Sequence, residues 1–93
     1  AQMAADHLFH LTRSHNTALW PEGTDNASTG NTRALPAIWD NLEDFSRRYG
    51  ALQEAAVAMQ AAAGTDLAAL QGALGALGGT CGACHDSYRA PAP

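Results

Sequence analysis

Lysine is absent from this chain of 93 residues, and its five basic side chains are all arginine. The acidic residues outnumber them, and the formal net charge is −4. Proteins that bind nucleic acid or anionic membrane surfaces do so through basic patches, so this balance argues against both kinds of partner. No uninterrupted apolar run approaches the ~20 residues of a membrane-spanning helix, and we expect no membrane span.

Large side chains are also scarce. Six aromatic residues are present, and 21 of the apolar residues are alanine, which buries little surface. A single small domain with so thin a core is marginal unless another body fills its centre. No convincing strand pattern is visible, so we predict an all-α domain over residues 1–89, followed by a frayed tail at residues 90–93.

Only two cysteines are present, and they stand in the segment Cys81-Gly82-Ala83-Cys84-His85. This is C-x-x-C-H, the attachment signature of c-type haem. On a helix, positions i, i+3 and i+4 share one face, so the two thiols and the imidazole can point at one object. The thiols would bond the haem vinyl groups, and the imidazole would be an axial iron ligand. We therefore predict one covalent haem c with His85 on the iron.

Three other kinds of site compete with haem. A structural zinc site needs further ligands at metal-binding spacing, but no third cysteine exists, and His7, His10 and His15 lie ~70 residues upstream. A thioredoxin-like dithiol needs a βαβ setting that the chain lacks. A plain structural disulfide would leave the adjacent histidine without a purpose. Haem is the favoured interpretation, and a protein without visible absorption would exclude it.

Apolar residues at helical spacing predict three helices, about residues 2–19, 36–63 and 66–89. In the first helix we assign Met3 to packing and His7 and His10 to the surface rather than to a metal. In the second, the favourable i, i+4 pair of Asp44 and Arg48 is expected on a solvated face.

The two cysteines continue the apolar side of the third predicted helix, so a haem held there would lie inside a bundle. That apolar side consists of Leu67, Leu70, Leu74 and Leu77. A turn-rich connection of about 15 residues precedes the second helix, and a loop this long in a small domain is typical of a functional segment. Covering one edge of a cofactor would be such a function.

Together with this motif, several stretches resemble class II c-type cytochromes, the cytochrome c′ family. Residues 19–25 resemble the family's aromatic-x-x-Gly-Thr turn after its second helix, and residues 32–39 resemble the entry to its third helix. Residues 78–89 resemble its haem-binding end, with Gly82 where the family often has lysine. The resemblance implies an up-down four-helix bundle, of which this chain supplies the last three helices.

The resemblance also implies a set of site residues. Cys81 and Cys84 carry the haem thioethers, and His85 is the proximal iron ligand. It also places Tyr88 and Arg89 on the proximal side, with Arg89 over the imidazole. Thr32, Arg33 and Trp39 match positions near the haem edge and its propionates. Trp20 matches an aromatic residue on the wall of the other face.

By the same resemblance, the protein is redox-active and high-spin, with an open iron site that binds NO and CO and a role in electron transfer. The alternative is a low-spin electron carrier with a Met or His sixth ligand. The family is exported, so we expect a periplasmic protein from which a leader has been removed. An enzyme is not expected, since no nucleophile–base pair, carboxylate dyad or phosphate-binding glycine loop is present.

The residue that would decide between these two alternatives lies on the family's first helix, which is not part of this sequence. Three helices alone would leave an apolar face and the porphyrin exposed. We therefore expect either further chain before Ala1 or a covering partner, which would be a second copy in a homodimer or a different chain that completes the bundle. The physiological redox partner is not predicted.

Overall fold

The computed structural model describes residues 1–14 and 17–93. Its α-helices in chain order are α1 (Gln2–Thr12), α2 (Ala37–Asp40), α3 (Leu42–Ala62) and α4 (Leu67–Tyr88), with a 3-10 turn at Thr17–Leu19. The long helix α3 makes its most extensive contact with α4 and a smaller one with α1. The described part of the chain is therefore a helical bundle, as the sequence predicts.

The first helix is shorter than the apolar spacing predicts, because α1 ends at Thr12 rather than near residue 19. The N–H groups of Arg13 and Ser14 donate to carbonyls three residues back, which tightens the chain out of the α-helix. The Thr12 hydroxyl also donates to backbone carbonyls of the preceding turn. His15 belongs to the predicted span but lies outside the described residues.

The predicted helix over residues 36–63 is two helices, because the chain breaks at Asn41. Its backbone angles, φ −136° and ψ 49°, are not helical. The Asn41 side-chain amide donates to the Ala37 carbonyl oxygen at 3.2 Å. Asparagine side chains compete with the helix for backbone partners in this way, so α2 ends at Asp40 and α3 begins separately at Leu42.

The aromatic core lies at the end of the bundle that carries the haem motif. Ile38, Phe45 and Tyr88 are buried, and Trp20 and Cys84 pack against them. The Phe45 ring lies edge-on between two neighbours, with ring centroids 4.8 Å from Trp20 and 5.3 Å from Tyr88. Edge-to-face aromatic pairs are specific in orientation, so this cluster fixes the local geometry.

The predicted apolar side of α4 is only partly covered in the described structure. Leu77 is buried and Leu70 is half-buried, whereas Leu67 and Leu74 are exposed. By length and composition alone α4 could also cross a membrane, although we expected no span from the lack of an uninterrupted apolar run. A single helix of this kind is weak evidence for a span, because core helices of helical bundles meet the same criterion.

Three side chains join α3 to the last turns of α4, and we call Asp44, Arg48 and Tyr88 the α3–α4 clasp. The Tyr88 hydroxyl donates a hydrogen bond to Asp44 Oδ2. Arg48 Nε donates to the same oxygen at 3.2 Å, and Arg48 Nη1 donates to the Ala83 carbonyl oxygen at 3.2 Å. The hydrogen bonds from Tyr88 and Arg48 lower the pKa of Asp44, and the Asp44 carboxylate raises the pKa of Tyr88.

The hydrogen bond that caps the N-terminus of α4 allows the start of this helix to be tested by mutation. Asp66 is the N-cap, and its Oδ1 accepts a hydrogen bond from the Ala69 N–H at 2.7 Å. Asp66→Ala should therefore lower the free energy of unfolding by about 1 kcal/mol, whereas Asp66→Asn should cost little, because asparagine caps equally well. Urea denaturation would measure both. Glu54→Ala, which removes an exposed carboxylate within α3, is the control; equal losses in Asp66→Ala and Glu54→Ala would contradict the assignment.

The clasp predicts a particular acid sensitivity. Because folding lowers the pKa of Asp44 below its ordinary value of 3.8, the charged carboxylate adds stability above that pH. The added stability is lost as the pH falls through the lower folded pKa. Asp44→Asn should thus lose less stability than the wild type between about pH 5 and pH 3, as measured by urea midpoints at each pH. Parallel curves for the wild type and Asp44→Asn would refute the clasp, and Glu54→Gln serves as the control.

Candidate functional site

The last two turns of α4 carry Cys81, Cys84 and His85, so helical geometry sets their relative positions. Both cysteines are free and half-buried, and the His85 side chain is exposed. Burial raises the pKa of the Cys84 thiol, and the nearby Arg48 opposes this shift. All three residues line one cavity of about 450 Å³. The structure thus offers two thiols and an imidazole to the same space, with no disulfide between the thiols.

The cavity wall is chemically suited to a large apolar body with acidic groups. Its apolar part includes Ile38, Phe45 and Leu52. Arginine side chains also line it, namely Arg33, Arg48 and Arg89. Haem combines an apolar macrocycle with two carboxylates, and guanidinium groups are suited to carboxylates. The apolar and cationic residues of the wall therefore fit haem, and the two thiols and the imidazole that line the same cavity fit it as well.

The connection before α2 is fixed to the end of α4 by backbone pairing. Residues 33–35 run antiparallel to residues 88–90, through an isolated β-bridge and hydrogen bonds on either side of it. The Ala90 N–H donates to the Arg33 carbonyl oxygen at 2.7 Å, and Arg33 Nε donates to the Ala90 carbonyl oxygen at 2.9 Å. Ala90, which the sequence assigns to a frayed tail, is therefore held in place.

A buried carboxylate organises the same connection. Asp25 accepts hydrogen bonds from the backbone N–H groups of Ala27 and Ser28 and, at 2.7 Å, from the Ser28 hydroxyl. These bonds, that of Ser28 foremost, lower the pKa of Asp25. The Asn26 N–H then donates to the Ala34 carbonyl oxygen at 2.8 Å. Hydrogen bonds within the loop thus fix its conformation and keep its residues beside the cavity.

The structure brings together eight of the nine predicted site residues. The cavity is lined by Cys81, Cys84, His85, Trp20, Thr32, Arg33, Tyr88 and Arg89. Trp39 lies elsewhere, on the wall of a second cavity of about 460 Å³. Its indole Nε1 donates to the Trp20 carbonyl oxygen at 3.2 Å. Trp39 therefore supports Trp20 and does not line the cavity that carries the thiols.

Of the cavity-lining residues that were not predicted, Arg48 is the charged one. Arg48 lines the cavity and bonds to the carbonyl of Ala83, between the two cysteines. Its i, i+4 spacing from Asp44 indicates only a helix-stabilising pair, and we expected both on a solvated face. The reach of Arg48 across to α4 depends on how the two helices pack, which the local pattern does not contain.

Within residues 1–14 and 17–93, no three His, Cys, Asp or Glu side chains lie close enough together to bind a zinc ion. His7 and His10 are exposed on α1, away from the cysteines in the bundle. Haem attachment needs only two thiols and one imidazole from the protein, and Cys81, Cys84 and His85 supply these groups.

Comparison with known sequences agrees with this chemistry. The family model for Cytochrome C′ matches residues 1–89. Among curated relatives, cytochrome c-554 of Cereibacter sphaeroides is 46% identical over 89 residues, which cover 96% of this chain and 58% of that protein. The chain thus spans less than two thirds of the length of that relative.

Solved structures resemble the chain over nearly its whole length. Cytochrome c′ from Rhodobacter matches with a TM-score of 0.95 and 34% identity, covering 98% of this chain and 70% of that one. A cytochrome c′ described as having ligand-controlled dimer dissociation matches at a TM-score of 0.87 and 31% identity, covering 97% and 70%. The nitric oxide complex of a variant of cytochrome c prime from Alcaligenes xylosoxidans matches at 0.78 and 33%, covering 98% and 68%. With its motif, its helical bundle and these matches, this chain belongs to the cytochrome c′ family.

Proposed function

We propose that this protein is a periplasmic c-type cytochrome that carries one covalent haem and takes part in electron transfer. Cys81 and Cys84 carry the thioethers, and His85 is the axial iron ligand. The observation that supports this most directly is the convergence of two free thiols and one imidazole, from a single helix, on one largely apolar cavity. Membership of the cytochrome c′ family, whose members carry covalent haem c, agrees with it.

The remaining residues of the cavity are assigned by their chemistry. Bound haem supplies a reversible one-electron couple and an iron coordination position. Ile38, Phe45 and Leu52 exclude water from the macrocycle, which raises the strength of every charge nearby. Arg89 lies one helical turn after His85 and places positive charge on that side, while Arg33 offers a cation to the haem carboxylates.

We further propose a high-spin, five-coordinate iron that binds NO and CO at its open position. A structural relative is described as a nitric oxide complex. Among the described residues that line the cavity, His85 is the only histidine, and methionine does not occur. Met3, near the start of α1, is 72% exposed. The alternative is a low-spin carrier with a Met or His sixth ligand from outside the described residues.

A second copy of the chain is the proposed protein partner. One structural relative is described by its ligand-controlled dimer dissociation. Large apolar side chains are exposed on the described surface, and they are Met3, Leu11, Leu19, Leu42, Val57, Leu67 and Leu74. Apolar side chains exposed on a helical bundle are expected to be covered, here by a second copy or, as the alternative, by a different chain that completes the bundle. The proposed role is electron transfer and gas binding rather than catalysis, and no redox partner protein is assigned.

Covalent attachment is tested by replacing the thiols. The protein would be produced with the export and cytochrome c maturation machinery, denatured, and extracted with acidified organic solvent. Wild-type protein should keep its visible absorption in the protein fraction, and the double variant Cys81→Ala/Cys84→Ala should lose it, because no covalent bond remains. His10→Ala, a histidine outside the cavity, should behave as wild type. Colour retained by the double variant, or absent from the wild type, would overturn the assignment.

The state of the iron is tested by adding carbon monoxide to the reduced protein. An open sixth position predicts a high-spin visible spectrum that shifts when carbon monoxide binds. A low-spin spectrum that carbon monoxide leaves unchanged would reject gas binding and establish the electron-carrier alternative. His85→Ala should alter the spectrum without releasing the covalent haem, because the thiols remain.

A further inference from the structure

Arg48 places a positive charge beside the haem motif from the neighbouring helix α3. Its Nη1 atom donates to the Ala83 carbonyl oxygen at 3.2 Å, and Ala83 lies between the two cysteines in the chain. Arg48 also lines the cavity that both cysteines and His85 line. The charge is therefore held next to the segment proposed to attach the haem, although it belongs to a different helix.

A second hydrogen bond holds the guanidinium group of Arg48 in this position. Its Nε atom donates to Asp44 Oδ2 at 3.2 Å, and the Tyr88 hydroxyl donates to the same oxygen. The Tyr88 side chain is buried in the aromatic core. A buried residue of α4 thus fixes the Asp44 carboxylate, and the carboxylate fixes Arg48 through a charge-assisted hydrogen bond.

The two charges of this pair are placed differently with respect to the cavity. Arg48 is among the residues that line it, and Asp44 is not. Both are charged near pH 7, because arginine keeps its proton and the hydrogen bonds from Tyr88 and Arg48 lower the pKa of Asp44. Asp44 therefore offsets the charge of Arg48 only in part. Arg33 and Arg89 also line the cavity, and their charges are common to every variant below.

We propose that Arg48 raises the reduction potential of the haem iron and that Asp44 offsets part of this effect. The inference rests on the proposed haem attachment. Reduction adds one electron, from an external donor, and neither Arg48 nor Asp44 gains or loses a proton. A fixed positive charge on the cavity wall favours the reduced form, and the apolar wall around Ile38 and Phe45 strengthens the interaction because it excludes water.

Arg48→Gln tests the charge in a redox titration of the haem-loaded protein at pH 7. The potential should fall by an amount equal to a roughly tenfold decrease in the ratio of reduced to oxidised protein, which is about 59 mV for one electron. Arg48→Lys keeps the charge but loses the planar group that bonds to both partners, and it should stay close to the wild type. Equal falls in the two variants would show that the hydrogen bonds matter and the charge does not, which would overturn the proposal.

Arg47→Gln is the matched control, because Arg47 is the neighbouring residue and pairs with the same carboxylate. Its Nη2 lies 3.6 Å from Asp44 Oδ1, its side chain is 72% exposed, and it does not line the cavity. Loss of this solvated charge should move the potential much less than Arg48→Gln does. A fall as large as that of Arg48→Gln would show that only the net charge matters, and the proposal would be wrong.

Asp44→Asn provides a second test if Arg48→Gln does not fold. Asparagine keeps an oxygen acceptor for the Tyr88 hydroxyl and removes the charge, so the potential should rise, by less than it falls in Arg48→Gln. Glu43→Gln removes an exposed carboxylate from the preceding position and should have little effect. An unchanged or lower potential in Asp44→Asn would contradict the proposal.

The visible spectrum of each protein separates this proposal from the proposed function. Haem-loaded variants that all titrate at the wild-type potential would overturn the role of Arg48 and leave haem attachment intact. A wild-type protein without haem would overturn the proposed function as well.

Discussion

The whole site depends on the short backbone pairing between residues 33–35 and 88–90. It joins a loop to the helix directly after the haem motif, so that residues from both sides face one cavity. A loop is otherwise free to move, and its position costs conformational entropy that few contacts offset. Here that entropy loss is offset by the backbone hydrogen bonds, by the bond from the Arg33 side chain and by the turn around Asp25. This pairing places the wall residues Thr32 and Arg33 beside the end of α4.

The α3–α4 clasp performs the complementary task on the other side of the motif. Arg48 reaches the Ala83 carbonyl between the cysteines, and Tyr88 meets Asp44 one turn after them. Residues of α3 thus form hydrogen bonds to α4 at two points, one within the motif and one directly after it. A helix as rich in glycine as α4 is locally weak, because each glycine costs about 1 kcal/mol relative to alanine. Contacts from α3 supply the rigidity that the sequence of α4 does not.

Local patterns predicted what depends on local geometry. The helical character of α3 and α4 and the common face of Cys81, Cys84 and His85 follow from spacing alone. The early end of α1 and the break at Asn41 were not predicted, because single side chains compete there with the helix for backbone bonds. The positions of Trp39 and Arg48 were not predicted either, since they depend on contacts between residues far apart in the chain. The resemblance to a family located the pocket loop, but not which tryptophan would line the cavity.

The thin core explains why a covalent cofactor suits this chain. Ile38 is the largest fully buried side chain among the described residues, and it lines the cavity of about 450 Å³. The wall of this cavity is mostly apolar, so a large apolar body that fills it adds buried apolar surface to a core that has little. A dissociable ligand would stabilise the fold only in proportion to its concentration and affinity. Thioether bonds to the proposed haem would keep the filling body in place permanently, so the two cysteines would then serve the stability of the bundle as directly as its chemistry.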